Sequence, residues 1–173
     1  MKINNDIIIK EATPKDAVAL IDYINVISDE SDFLTFGCGE FNITIKEEEK
    51  ILEEYLTRNN AIYIIATYED KIVGSLNFSG GTRPRISHKG EFGVSVLKGY
   101  WGNGIGTALI KYLINWAEQS GVIKKINLKV REDNVKAISI YKKLSFVEEG
   151  RITREFLIDK VYYNSLIMGY EID

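Results

Sequence analysis

The chain has 173 residues, with 22 Lys+Arg against 25 Asp+Glu for a formal net charge of −3, and it holds one Cys and one His. This length fits one domain able to bury about two-thirds of its unfolded surface, and 45% hydrophobic with 27% charged residues belongs to an ordinary folded protein. Cys38 alone excludes a disulfide framework, Cys38 with His88 argues against a metal site, and the near-neutral charge argues against a nucleic-acid partner.

At the N-terminus, Met1–Lys10 carries an apolar run of only Ile7–Ile9, short of the about 7–15 residues a signal peptide needs. No apolar run approaches the ~20 residues of a membrane span. The expectation is a cytoplasmic protein with no membrane partner.

Asp6–Glu11 reads as a first strand, with β-branched Ile7, Ile8 and Ile9. Thr13-Pro14 opens a helix whose buried stripe is Ala17, Leu20, Ile21 and Ile24. Ser28–Asn42 reads as a loop. Thr44 caps a second helix, Lys46–Arg58, with Ile51, Leu52, Tyr55 and Leu56 inward and Glu47–Glu49 in the first turn, where the helix dipole favours anions. Strand Ala61–Tyr68 is apolar on both faces and turns at Glu69-Asp70 into Ile72–Ser79 as a hairpin. Gly90–Leu97 is the next strand. The loop Lys98–Gly104 feeds a helix to about Gln119, with Ile105, Leu109, Tyr112, Leu113, Trp116 and Ala117 on one face. Strand Lys125–Val130, helix Val135–Leu144 capped by Asn134, and strands Phe146–Arg154 and Val161–Glu171 complete the chain. No repeat or linker interrupts it. The order predicts a single α/β domain over residues 1–173, with a mixed sheet and helices on both faces.

The sharpest local signal is Gly102-Asn103-Gly104-Ile105-Gly106 between a strand and a long helix. Glycines let backbone approach a ligand, and a helix start offers unpaired N–H groups and a positive dipole end, which suits a phosphate. No Lys-Ser or Lys-Thr follows, as a P-loop requires. A dinucleotide fingerprint counted from Gly102 ends on Thr107 instead of glycine and sits in the wrong part of the chain.

Residues 91–146 (EFGVSVLKGYWGNGIGTALIKYLINWAEQSGVIKKINLKVREDNVKAISIYKKLSF) resemble the GNAT superfamily of acetyl-CoA-dependent N-acetyltransferases. The family's Arg/Gln-x-x-Gly-x-Gly/Ala signature is matched by Trp101–Gly106, and its Asn-x-x-Ala-x-x-x-Tyr-x-x-x-Gly-Phe signature by Asn134, Ala137, Tyr141 and Phe146. Trp101 replaces the family's Arg or Gln, and Ser145 its glycine.

The resemblance implies a mostly antiparallel sheet whose central strands splay apart around acetyl-CoA. It implies that the amides of Asn103, Gly104, Ile105, Gly106, Thr107 and Ala108 hold the pyrophosphate. The backbone of Val94, Ser95 and Val96 would pair with the pantetheine arm, and an amide near Val94 would polarise the thioester carbonyl. It further implies that Tyr141 protonates the departing thiolate, that Asn134 contacts the coenzyme arm, and that the acceptor, a small-molecule, peptide or protein amine, attacks directly in a ternary complex. A non-catalytic acyl-CoA-binding module on the same fold is the alternative.

A neutral amine must form from an ammonium of pKa about 10.4, so a base is required. Glu91 is the candidate, sharing a strand face with Gly93 and Ser95; His88 is a weaker one. The segment Ile27–Ile43, with Asp29, Glu30, Asp32, Phe33, Phe36 and Glu40, suits a cationic amine or is simply an acidic surface loop. Cys38 reads as a passive thiol. Tyr162, Tyr163 and Tyr170 line the acceptor side or build the sheet. Val161–Glu171, read as an edge strand, offers a surface for a homodimer.

Overall fold

The computed structural model describes residues 6–37 and 39–173. Seven strands, β1 (Ile8–Glu11), β2 (Ala61–Tyr68), β3 (Lys71–Gly80), β4 (Lys89–Val96), β5 (Lys125–Arg131), β6 (Val147–Ile158) and β7 (Val161–Glu171), form one sheet in the order β1-β2-β3-β4-β5-β7-β6. Among the described residues only the β4–β5 pair is parallel. It joins the antiparallel half β1-β2-β3-β4 to the antiparallel half β5-β7-β6. The mixed, mostly antiparallel sheet expected from the sequence is therefore present.

Helices α1 (Ala17–Glu30) and α2 (Ile45–Thr57) cover one face, and α3 (Ile105–Ser120) and α4 (Val135–Lys143) the other. The two faces follow from strand alternation. Ile62, Ile64 and Ala66 of β2 join Leu109, Leu113, Leu128 and Tyr141 in one cluster, while Ile65 joins Leu20, Ile24 and Leu52 in the other. No helix among the described residues is long and apolar enough to cross a membrane.

Local chemistry sets most boundaries. Thr44 accepts from Glu47 N–H at 3.3 Å while Glu47 accepts from Thr44 N–H at 2.8 Å, a reciprocal cap that starts α2. Thr13 starts a single 3₁₀ turn, Pro14–Asp16, before α1 begins. The inward face of α2 differs from the periodicity reading: Leu56 is exposed and Glu48 is buried beneath the helix with Leu52. Burial disfavours the Glu48 carboxylate and raises its pKa.

Val161–Glu171 is not an edge. β7 pairs with β5 on one side and β6 on the other, because the β6–β7 hairpin inserts its second strand into the sheet. The edges are β1 and β6.

Candidate active site

β4 and β5 are paired only over Lys89–Glu91 and Lys125–Asn127. Beyond Glu91 the two strands have no further partners in common, and their C-terminal halves part. The hydrogen-bond pattern fixes what lines this opening. Gly81 N–H donates to the Lys89 carbonyl at 3.0 Å and Leu97 N–H to the Val73 carbonyl at 2.9 Å. The β3–β4 register between these two pairs has no irregularity. Bonded pairs alternate in an antiparallel ladder, so the odd-numbered residues of β4 turn their backbone groups to β3. Phe92, Val94 and Val96 turn theirs to the opening.

Two of the expected strand contacts are thereby revised. Ser95 has its backbone committed to β3, and its hydroxyl lies 2.9 Å from the Tyr23 hydroxyl of α1. The Val96 carbonyl accepts from Trp101 Nε1 at 2.7 Å, leaving its N–H on the open edge. Val94 keeps both backbone groups on that edge. An amide-bearing ligand laid along it would satisfy these groups as an added strand does.

At the end of β4 the chain turns through Lys98–Tyr100 into the glycine loop. Gly102 has φ 81° and Gly104 φ 79°, left-handed conformations that favour glycine. Gly104 is the N-cap of α3, and the first helical bond runs from Ala108 N–H to the Gly104 carbonyl at 2.9 Å. The Ala108 amide is therefore engaged in the helix, unlike the expectation. Ile105, Gly106 and Thr107 precede the ladder, and their N–H groups are the orphan donors of the helix start. A Cβ on Gly102 would meet nothing within 4 Å, and one on Gly106 only Val96 Cγ2 at 3.8 Å, so the approach to these amides is open. Asn103 secures the loop by donating from Nδ2 to the Tyr100 carbonyl at 3.1 Å. The donors, the dipole and the open approach fit a pyrophosphate.

Tyr141 stands across the opening on α4. Its ring packs against Phe92 and Phe146, with both centroid distances 6.0 Å. The end of α4 explains how. Ser145 N–H donates to the Lys142 carbonyl at 3.1 Å and Phe146 N–H to the Tyr141 carbonyl at 3.0 Å, with Ser145 at φ 68°. This is a Schellman closure, in which the residue after the left-handed position contacts the one five earlier. Tyr141 and Phe146 are thus fixed together, and Ser145 occupies a conformation where glycine is common. Burial alone pushes the Tyr141 hydroxyl up to about 12. Asn134 caps α4, its Oδ1 accepting from Ala137 N–H at 3.3 Å.

Glu91 lies on the opposite face. Phe92 belongs to the α3–α4 cluster, so its neighbour Glu91 points toward α1 and α2, where it is exposed. Asn127 stands beside Glu91 in the last paired rung, and its Oδ1 is buried with no hydrogen-bond partner. His88 is exposed in the loop before β4. Cys38 lies outside the described residues.

The sequence reading missed two groups on this face. Tyr23 reaches Ser95 from α1, and burial raises its pKa to about 12. Arg131, at the end of β5, is 6% exposed and forms two bonds to Asp133, from Nε at 3.0 Å and Nη2 at 2.6 Å. That pairing holds the Asp133 carboxyl below its ordinary range. Arg131 also donates from Nη1 to the Asp32 carbonyl, 99 positions away. A charge ending a strand was the only local signal of Arg131.

Comparison with known proteins agrees with this geometry. Residues 28–146 match the model of the acetyltransferase (GNAT) family. The chain is 26% identical over 132 residues to the L-amino acid N-acetyltransferase AaaT of Escherichia coli K12, spanning 76% of this chain and 82% of that protein. A shorter match, 32% over 83 residues, is to the spermidine N(1)-acetyltransferase of the same organism, spanning 48% of this chain and 45% of that protein. An acetyltransferase of the GNAT family from Streptococcus pneumoniae superposes with a TM-score of 0.93 at 32% identity, covering 96% of this chain and 99% of that one. The yncA structure from Salmonella typhimurium, solved with its cofactor acetyl-CoA, superposes with a TM-score of 0.81 over 98% and 95% of the two chains; at 16% identity this is a likeness of fold.

Proposed function

The chain belongs to the GNAT family of acetyltransferases, and from that premise we propose that residues 1–173 act as one domain transferring an acetyl group from acetyl-CoA to a primary amine. The observation that carries the reading is the arrangement of Glu91 and Tyr141. They stand on opposite faces of β4, where it parts from β5, with the open edge of Val94 between them.

Acetyl-CoA supplies the thioester carbon that is attacked and the thiolate that leaves. The amides of Asn103, Gly104, Ile105, Gly106 and Thr107 hold its pyrophosphate. Val94 and the N–H of Val96 bind its amide-bearing arm, and Asn134 contacts that arm from the start of α4. The Val94 N–H faces the carbonyl oxygen as negative charge develops there. Glu91 receives the proton of the incoming amine, directly or through water. The amine nitrogen attacks, the C–N bond forms, the C–S bond breaks, Tyr141 gives its proton to the sulfur, and the second proton of the acylated nitrogen leaves through water to restore the Tyr141 hydroxyl. With its pKa near 12, Tyr141 stays protonated until that step. Because acid and base lie on opposite faces, acceptor and coenzyme enter from opposite sides, and no covalent enzyme intermediate is required.

The named relatives act on an L-amino acid and on spermidine, both amines, which supports an amine acceptor here. A panel of L-amino acids, spermidine and a short peptide with a free N-terminus, assayed by release of free CoA thiol, tests the function. Thiol release that depends on an amine is expected. Acetyl-CoA binding with no amine-dependent release would indicate a binding module, and a stable acetyl-enzyme in the mass spectrum would refute direct transfer.

A further inference from the structure

The segment between α1 and α2 is fastened to both arms of the parted strands. On the β4 arm, Lys98 N–H donates to Glu30 Oε2 at 2.7 Å. On the β5 arm, Arg131 Nη1 donates to the Asp32 carbonyl at 2.7 Å, and its guanidinium carbon lies 4.7 Å from the centroid of the Phe33 ring. Only Ser31 separates Glu30 from Asp32. Glu30–Phe33 therefore runs as a short strap from one arm to the other.

The strap lies on the acceptor side. Val130 belongs to the α3–α4 cluster, so Arg131 points to the opposite face of β5, the face shared by Asn127 and Glu91. Arg131 is also locked from below, with the centroid of the Tyr163 ring 3.9 Å from its guanidinium carbon and Asp133 bound through two nitrogens. A planar guanidinium can bind a carboxylate through two nitrogens, donate a third bond and stack on rings at the same time; a lysine ammonium cannot. Asp32, Phe33, Asp133 and Tyr163 all lie outside the glycine loop and the open edge of β4. Arg131 thus acts through the strap.

We propose that Arg131 is a positioning residue for the acceptor amine: by holding Asp32 and Phe33 it fixes the Glu30–Phe33 strap over the opening on the face into which Glu91 points. The inference rests on the transferase reading.

Arg131→Lys keeps a cation beside Asp133 but loses the planar fork. Phe33→Leu removes one ring from a partly exposed position, and Phe33→Tyr keeps it. Each variant is compared with wild type for kcat and KM with the fastest panel amine, for acetyl-CoA affinity by calorimetry, and for amide hydrogen exchange across residues 31–44. Arg131→Lys should raise the acceptor KM by about tenfold, the scale of one hydrogen bond and one ring contact. Its kcat and acetyl-CoA affinity should stay near wild type, and exchange in the strap should quicken. Phe33→Leu should move the same quantities less, and Phe33→Tyr should restore them, so the Phe33 pair decides the matter if Arg131→Lys does not fold. Unchanged strap exchange overturns the anchoring. Quickened exchange with an unchanged KM, or an acceptor KM and acetyl-CoA affinity that worsen together, overturns the positioning role. A wild-type protein that acetylates no amine sinks the transferase reading and this proposal together, which separates that failure from the others.

Discussion

Replacing Tyr141 with Phe removes a single oxygen from the site and leaves the ring. Packing against Phe92 and Phe146, with centroids at 6.0 Å, is retained. What is lost is the hydroxyl proposed as the acid, whose pKa burial pushes up to about 12. Such a group stays protonated at assay pH and can hydrogen-bond the developing thiolate; because a thiol has a pKa of about 8.5, full transfer of the proton is coupled to loss of the surplus proton from the acylated nitrogen. General acid catalysis contributes about 10²–10⁴-fold, or about 3–5 kcal/mol of barrier. The prediction is a fall of that size in kcat, with acetyl-CoA affinity near wild type. Stability should change by less than about 1 kcal/mol, since only desolvation shifts the hydroxyl and no hydrogen bond contributes. Thiol release from pH about 6 to 10, with calorimetric acetyl-CoA binding and the melting temperature as controls, makes the measurement. Because Tyr141 does not titrate in that range, the defect should be the same at every pH. Turnover unaffected at all pH values, or a loss of rate matched by a loss of binding, would refute the assignment.

Other outcomes follow from single residues. Ser145→Gly relieves a serine held at φ 68°; the left-handed penalty of about 1–2 kcal/mol, less about 0.5–1 for glycine's greater unfolded freedom, leaves a gain of about 0.5–1. At about 2–4 °C per kcal/mol, calorimetry should register a rise of roughly 1–4 °C, and a fall would contradict a strained turn. Glu91→Gln cannot take a proton, so kcat/KM should drop about 10²-fold at neutral pH and recover toward pH 10, where alkyl amines of pKa about 10.4 deprotonate unaided; a gap constant with pH would exclude Glu91 as the base. Burial raises the pKa of Tyr23 and Tyr141 to about 12 and that of Tyr63 further. The unfolded chain, with tyrosines near about 10, loses these protons first, so their stabilisation is complete below about pH 10 and disappears as pH rises through about 12. Urea midpoints that stay level from about pH 9 to 11 would be inconsistent with it.

The glycine loop and Tyr141 were legible because their geometry is local. Left-handed glycines, a helix start and a Schellman closure each involve residues within about five positions, and Gly102, Gly104, Tyr141 and Phe146 carry them in plain sequence. Ser95 and Val96 were harder. Pairing strands were readable, but which backbone groups remain free depends on the β3–β4 hydrogen-bond phase and on a Trp101 side chain folding back onto Val96. The placement of Val161–Glu171 failed for the same reason: a hairpin reveals that two strands pair, not which of them enters the sheet.

By itself the sequence determined the order of strands and helices, the capping of α2 and α4, the shared face of Glu91, Gly93 and Ser95 on β4, and the orphan amides ahead of α3. All of these arise from steric and hydrogen-bond preferences spanning a few residues. Tertiary structure alone decided that β4 and β5 separate after Glu91, that Glu91 and Tyr141 fall on opposite faces of that opening, and that Arg131 reaches Asp32 across 99 positions. Those relations are set by packing between elements distant in the chain, where burial of both sheet faces fixes register and leaves one strand edge without a partner.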